Sequence, residues 1–253
     1  KMMENRNWVE LPIKDVAVKL TSGGTPSTKK SEYYENGDIP WLNTKEVDYN
    51  RITSTEKHIT EEGLKNSSAK WIEENSVIVA MYGATAAKTA INKIPLTTNQ
   101  ACCNIIVNHE VCDYEFLFYN ISNKYSELEN IAVGAAQQNL SVGVIGNFIL
   151  KFPPLPEQKA IASVLSSLDD KIDLLHQQNQ TLETLAETLF RQWFIEEAKE
   201  DWPIYKFKDI VKHVKPGTNF QPKRVNNGIP FLNVKNLNNG FIDLQNNTFI
   251  TQE

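Results

Sequence analysis

The chain is poor in the features that mark secreted, membrane-spanning or self-sufficient catalytic proteins. Its 253 residues include three cysteines, Cys102, Cys103 and Cys112. An odd count with an adjacent pair is no disulfide framework, and the expected location is a reducing cytoplasm. No apolar run reaches the roughly 18 residues of a membrane helix. The opening Lys1-Met2-Met3-Glu4-Asn5 lacks the apolar core of a signal peptide. Charged residues make up 23% and apolar ones 41%, too apolar a balance for a disordered chain.

Catalytic and metal-binding patterns are also missing. Cys102-Cys103, His109 and Cys112 lack the two separated pairs of a structural zinc site. Neighbours on a strand point to opposite faces, so these read as core cysteines. Glu157-Gln158-Lys159 fits a nuclease E-x-K but has no upstream Asp partner, and reads as first-turn charge. Lys151-Phe152-Pro153-Pro154 lacks the Asn or Asp of a methyltransferase N-P-P-F/Y loop. Gly83-Ala84-Thr85-Ala86-Ala87-Lys88 has too few glycines to cradle phosphate. His58, His109, His176 and His213 form no dyad. No catalytic residue, metal site or cofactor site is expected in this chain.

What is present begins with a repeat. Ile39-Pro40-Trp41-Leu42-Asn43-Thr44-Lys45 recurs as Ile229-Pro230-Phe231-Leu232-Asn233-Val234-Lys235. Trp8 with Lys14-Asp15 matches Trp202 with Lys208-Asp209, and Ile59-Thr60-Glu61-Glu62 matches Ile250-Thr251-Gln252-Glu253. Three blocks in one order read as a duplicated domain whose second copy is only begun. This predicts a first domain over 1–156, a helix over 157–199 and an incomplete second domain over 200–253.

The first domain reads as short strands and loops. The runs 77–81 and 101–107 are β-branched and apolar, as buried strands are. Asp113 to Leu128 has helical spacing, and Phe152-Pro153-Pro154-Leu155-Pro156 predicts an extended segment. Pro156 suits the first position of a helix reaching about Lys199, roughly 64 Å at 1.5 Å per residue. Its 4-3 spacing runs Ile161, Leu165, Leu168, Ile172, Leu175, Asn179, Leu182, Ala186, Leu189, Trp193. Only Asn179 is polar, so the stripe predicts a coiled-coil seam needing a partner helix, with Asn179 setting register.

Net charge is −5, awkward for a nucleic-acid binder. Yet no acid occurs from Asn75 to His109 or from Asn130 to Pro156, stretches that carry Lys88, Lys93 and Lys151. Either a mildly positive face or buried strands explain this. Candidate contacts to DNA lie in four loops. They are Thr25, Ser27, Lys29 and Lys30; Lys45 after Asn43; Thr85 and Lys88; and Gln137, Gln138 and Asn139. Amide side chains can pair bidentately with adenine, and lysine with guanine or phosphate.

Several of these stretches resemble the DNA-specificity (S) subunits of type I restriction-modification systems. They are Thr21-Ser22-Gly23-Gly24-Thr25-Pro26-Ser27, Asp38-Ile39-Pro40-Trp41-Leu42, Asn99-Gln100-Ala101-Cys102-Cys103 and Gly134-Ala135-Ala136-Gln137-Gln138-Asn139-Leu140. Most specific is Pro153-Pro154-Leu155-Pro156-Glu157-Gln158 leading into the helix. The resemblance implies target recognition domains, each followed by a long helix, with the helices paired antiparallel. Each domain would read half of a bipartite double-stranded DNA site. Methyltransferase (M) subunits would bind the helices and supply S-adenosylmethionine, and a restriction (R) subunit would supply ATP-driven cleavage.

The expectation is therefore a mixed α/β (α+β) recognition domain, a long helix in an antiparallel coiled coil, and a non-catalytic, DNA-reading subunit that forms a homodimer. A coiled-coil scaffold whose head binds protein is the alternative from another class. A self-sufficient methyltransferase is disfavoured by its missing motifs.

Overall fold

The structure, a computed structural model, describes residues 8–134, 140–217, 221–238, 240–245 and 247–251. The chain forms two compact units, Lys1–Glu183 and Thr184–Glu253. This division falls inside the long helix, whereas the expected boundaries follow its ends.

In the first unit the elements run β1 (Val9–Pro12), β2 (Ala17–Ser22), β3 (Ile39–Leu42), β4 (Asn50–Ile52), β5 (Lys57–Ile59), α1 (Glu61–Lys65), β6 (Trp71–Ile72), β7 (Val77–Ala80), β8 (Thr89–Asn92), β9 (Leu96–Thr98) and β10 (Cys102–Val107). There follow α2 (Tyr114–Ser122), α3 (Tyr125–Gly134), α4 (Val142–Asn147), β11 (Ile149–Phe152) and α5 (Leu155–Arg191). One sheet has the order β2-β10-β7-β8-β4 and a second β5-β3-β9-β6, while β1 pairs with β11. Two pairs are parallel, β3 with β9 and β4 with β8.

The five-stranded sheet is a middle layer. Val77, Val79, Cys103 and Ile105 enter the core shared with α2, α4 and Ala162 of α5. Ile78, Ala80 and Cys102 enter a second core with Leu42, Ile72 and Leu96 of the other sheet. A strand covered on both faces has no polar alternation, which is why 77–80 reads as an unbroken apolar run. Cys102 and Cys103 point to opposite faces as expected, and all three cysteines are buried. The acid-free stretch 75–109 is thus mainly interior. Thr89, Asn92, Thr97, Thr98 and Asn104 are buried with it.

Two helical expectations shift. The segment 113–128 is not one helix but two. Asp113 caps α2 by accepting from Phe116 N at 2.9 Å, and the chain breaks at Asn123 before α3. Helix α5 starts at Leu155, because the Pro154 carbonyl accepts from both Glu157 N and Gln158 N at 2.9 and 3.1 Å. Pro156 sits in the first turn, where no intrahelical donor is needed. The α-helix stops at Arg191, about 55 Å from its start. A π turn, Gln192–Glu196, replaces the expected last turns.

The second unit holds a short helix α6 (Phe207–Ile210), β12 (Arg224–Val225), β13 (Ile229–Phe231), β14 (Leu237–Asn238), β15 (Phe241–Ile242) and β16 (Thr248–Ile250). The sequence repeat is a structural repeat. Ile39 pairs with Ile59 and Pro40 with His58 in the first copy, and Ile229 with Ile250 and Pro230 with Phe249 in the second. Asn43 caps the turn Thr44–Glu46 as Asn233 caps Val234–Asn236. In the first copy β3 also pairs with β9, whereas β13 pairs only with β16 among the described strands. Accordingly Ile229, Leu232, Phe207 and Ile210 are exposed.

Candidate nucleic-acid interface and helix surface

Of the four loops singled out by sequence, the three that are described, around Thr25, Lys45 and Thr85, meet along one rim of the two sheets, and hydrogen bonds stitch them together. Gly24 N donates to Thr98 O at 2.9 Å, Asn99 N to Leu42 O at 3.0 Å, Met81 N to Ala101 O at 2.8 Å and Leu140 N to Met81 O at 2.9 Å. The Thr85 hydroxyl donates to Thr44 O at 2.8 Å, and Thr25 Oγ1 bonds Gln100 Oε1. The Gly23-Gly24 pair allows this approach, since a Cβ on Gly23 would lie 1.9 Å from Thr98 O. Lys30 N donates to Ser27 O at 3.1 Å, closing a turn on which Ser27, Lys29 and Lys30 are exposed. Gln137, Gln138 and Asn139 lie outside the described residues.

Three of the rim's cations lie beside acids. Lys45 Nζ lies 2.5 Å from Glu56, and Lys88 Nζ 2.6 Å from Asp48. Lys30 bonds the Tyr33 hydroxyl at 2.9 Å, with Glu32 at 3.7 Å. Lys88 also lies over the Tyr49 ring, 5.9 Å from its centroid. Beside this pair, Tyr49 and Ala87 adopt φ of +53° and +68°, strained values for residues with side chains. Each is held there by its own amide, Tyr49 N to Thr89 O at 2.7 Å and Ala87 N to Ala80 O at 2.9 Å. Strain of this kind gathers where function shapes the backbone.

Helix α5 joins the domain through polar contacts. Gln158 is buried, with every polar atom of its side chain used. It accepts from Asp113 N at 3.0 Å and donates to Val111 O and Pro153 O at 3.0 and 2.9 Å. Trp8 Nε1 donates to Glu157 at 3.2 Å. Ser166 donates to Glu115, and the Tyr119 hydroxyl donates to Asp169 at 2.6 Å. Burial, then this bond, pushes the Tyr119 hydroxyl up to about 12. Of the seam positions, Ile161 and Leu165 are half-buried, Ile161 against the domain's own core. They are not free for a partner helix along their whole length, because the first three turns of α5 pack on the domain. Leu168, Ile172, Leu175, Asn179, Leu182, Ala186 and Trp193 are exposed, and Leu189 is half-buried.

A family model for the type I restriction modification DNA specificity domain matches residues 5–184. The chain belongs to this family. The match takes in every strand of the first unit and ends about two turns before the end of α5. The specificity subunit of type I restriction enzyme MjaIX from Methanocaldococcus jannaschii is 33% identical over 98% of this chain and 62% of its own length. The EcoR124I/EcoR124II specificity subunit of Escherichia coli is 30% identical over 60% of this chain and 38% of its own. The chain thus spans less than two thirds of the curated relatives it matches. The type I restriction-modification S subunit from M. genitalium has the same fold, with TM-score 0.55, 19% identity, and 79% of this chain aligned to 52% of that one.

Within this family framework, three residues stand out that sequence reasoning did not select. Gln100 reaches Thr25 on the rim, Gln158 clamps the helix, and Arg51 bridges strand and helix. Gln100 and Gln158 sit in the motifs that carried the resemblance. Arg51 has no local signal, since its partners lie far along the chain. Among the described residues no cluster of His, Cys, Asp and Glu fit to hold a metal occurs. None of the described helices is long and apolar enough to cross a membrane.

Proposed function

We propose that this chain is a non-catalytic DNA-recognition subunit whose first domain reads one half of a bipartite duplex site. The observation that carries the reading is the stitched rim of loops at Thr25, Lys45, Thr85 and Lys88, on a domain that matches the DNA specificity family. Side chains on such a rim can meet phosphates and base edges together. The acidic net charge is compatible with this. Lys45 and Lys88 are preformed cations that can exchange a carboxylate for a phosphate. Their contribution is then a balance of two ion pairs rather than bare attraction.

The exposed stripe on α5 supports pairing with a second such helix, antiparallel, with Asn179 near the axis. In this reading a second copy of the chain supplies the partner helix, and a homodimer presents two domains to an inverted-repeat site. Methyltransferase subunits dock on the helices and carry S-adenosylmethionine; a restriction subunit carries ATP. The assembly works in the cytoplasm. Duplex binding across a salt series tests the reading. Affinity falls with a log–log slope near −0.9 per neutralised phosphate if the rim meets DNA. Binding that ignores salt, or no binding, overturns it.

A further inference from the structure

Arg51 occupies the middle of β4, at the edge of the five-stranded sheet, and its side chain is 13% exposed. Its guanidinium Nη2 donates to the Tyr119 hydroxyl at 3.3 Å and lies 3.9 Å from Glu115. Nη1 lies 3.9 Å from Asp169 and 3.4 Å from Asp170. One cation therefore ties the sheet edge to α2 and to α5. Burial works against its charge, but Tyr119, Glu115, Asp170 and Asp169 outweigh that and hold it above its ordinary value.

The location matters more than the strength. Gln158 grips α5 near its start, and Asp169 follows 11 residues later, about 16 Å along the axis. From Asp170 to Thr188 every helix residue is exposed. Arg51 thus ties the domain to α5 where the helix passes into its exposed stretch. One grip would leave the helix free to swivel, whereas two grips this far apart fix a direction. Apolar packing does not replace the second grip. A cavity of about 220 Å³, lined by Tyr49, Asn50, Arg51, Phe118, Asp169 and Ile172 among others, lies between β4 and α5. The same strand also holds the rim. Asn50 accepts from Asp48 N at 3.0 Å and donates to Glu46 O at 3.1 Å.

We propose that Arg51 is a positioning residue: through Asp169, Asp170 and Tyr119 it fixes the direction in which the long helix leaves the domain. Resting on the proposed DNA reading, it thereby also fixes the spacing between the half-sites that an assembled subunit accepts.

The test uses the full chain with spin labels on Lys65→Cys and Gln178→Cys; the native cysteines are buried and stay unlabelled. Diluted into excess unlabelled chain, so that only labels within one copy are paired, the parent gives one sharp distance peak. Arg51→Met loses it to a broad distribution, Arg51→Lys largely keeps it, and the helix-side double variant Asp169→Asn with Asp170→Asn also loses it. That double variant leaves the domain's own residues intact and decides the matter if Arg51→Met fails to fold. A sharp peak in the double variant overturns the proposal. Duplexes with two half-sites at graded spacings give the second readout. The parent prefers one spacing, and the loosened variants accept spacers about one base pair shorter or longer, each pair adding about 3.4 Å. Broadened distances with an unchanged spacing preference overturn the role in site spacing. Broadened distances in a chain that binds no duplex uphold the helix-positioning role and refute the DNA reading alone.

Discussion

Gln158 Nε2 donates to the carbonyl of Val111 at 3.0 Å, joining residues 47 positions apart. This side chain seats α5 in the loop that leads into α2. Gln158→Leu keeps the volume but strips the partners from Asp113 N, Val111 O and Pro153 O. Each buried polar group left unpaired costs about 1–3 kcal/mol. Urea unfolding of the variant is expected to show a clearly lower midpoint. Gln158→Glu should fall nearly as far, since it loses the two donated bonds. A midpoint equal to the parent's in both would show that the clamp contributes nothing.

The thiols make a second prediction. Burial pushes Cys103 and Cys112 up to about 12, and drives Cys102 upward as well. The protonated thiol is thus the form the fold favours. Its stabilising contribution is complete below the unfolded value of 9.0 and is lost as pH climbs from there towards 12. A disulfide reagent at pH 8 should titrate no thiol in the native protein and three after denaturation. Rapid native labelling would contradict the buried placement.

A third concerns Asp48. If Lys88 meets phosphate, Asp48 competes for it, and the pair spans 2.6 Å. Asp48→Asn should raise affinity for cognate and random duplexes alike and steepen the salt slope by about one. Lys88→Ala should lower both to a similar degree. Equal slopes in parent and variants would move the phosphate contacts away from this pair.

The fold was legible where a pattern is local. The apolar run at 77–80 announces a strand covered on both faces, and the period of two separates Cys102 from Cys103. The repeat was visible because Ile39-Pro40 and Ile229-Pro230 each lead a strand into an Asn cap. Rim and joint were less legible, because their geometry comes from distant pairs. Lys88 meets Asp48 across 40 residues, and Arg51 meets Tyr119 across 68. Composition could count those charges but not pair them. Nor could it show that much of the acid-free stretch is core. Periodicity found the stripe of α5, while only packing reveals that Ile161 and Leu165 belong partly to the domain.

The stripe makes the last prediction. Leu168, Ile172, Leu175 and Leu182 are 57, 50, 44 and 61% exposed. Fully burying a leucine or isoleucine is worth about 1.5–3 kcal/mol, so four of them per helix are a strong drive to associate. With a twofold axis near Asn179, Ile172 of one helix faces Ala186 of the other, and Leu175 lies close to Leu182. A small residue opposite a large one lets such layers interlock. Sedimentation equilibrium of the chain alone at micromolar concentration should give about twice 28.8 kDa. Leu175→Glu places charges against apolar neighbours on both sides of the axis and should return the chain to monomer. Gln177→Glu, off the stripe, should leave the dimer intact. Asn179→Leu should tighten association while loosening register, because an apolar pair no longer requires its hydrogen-bonding partner. A monomeric parent would refute self-association through this helix.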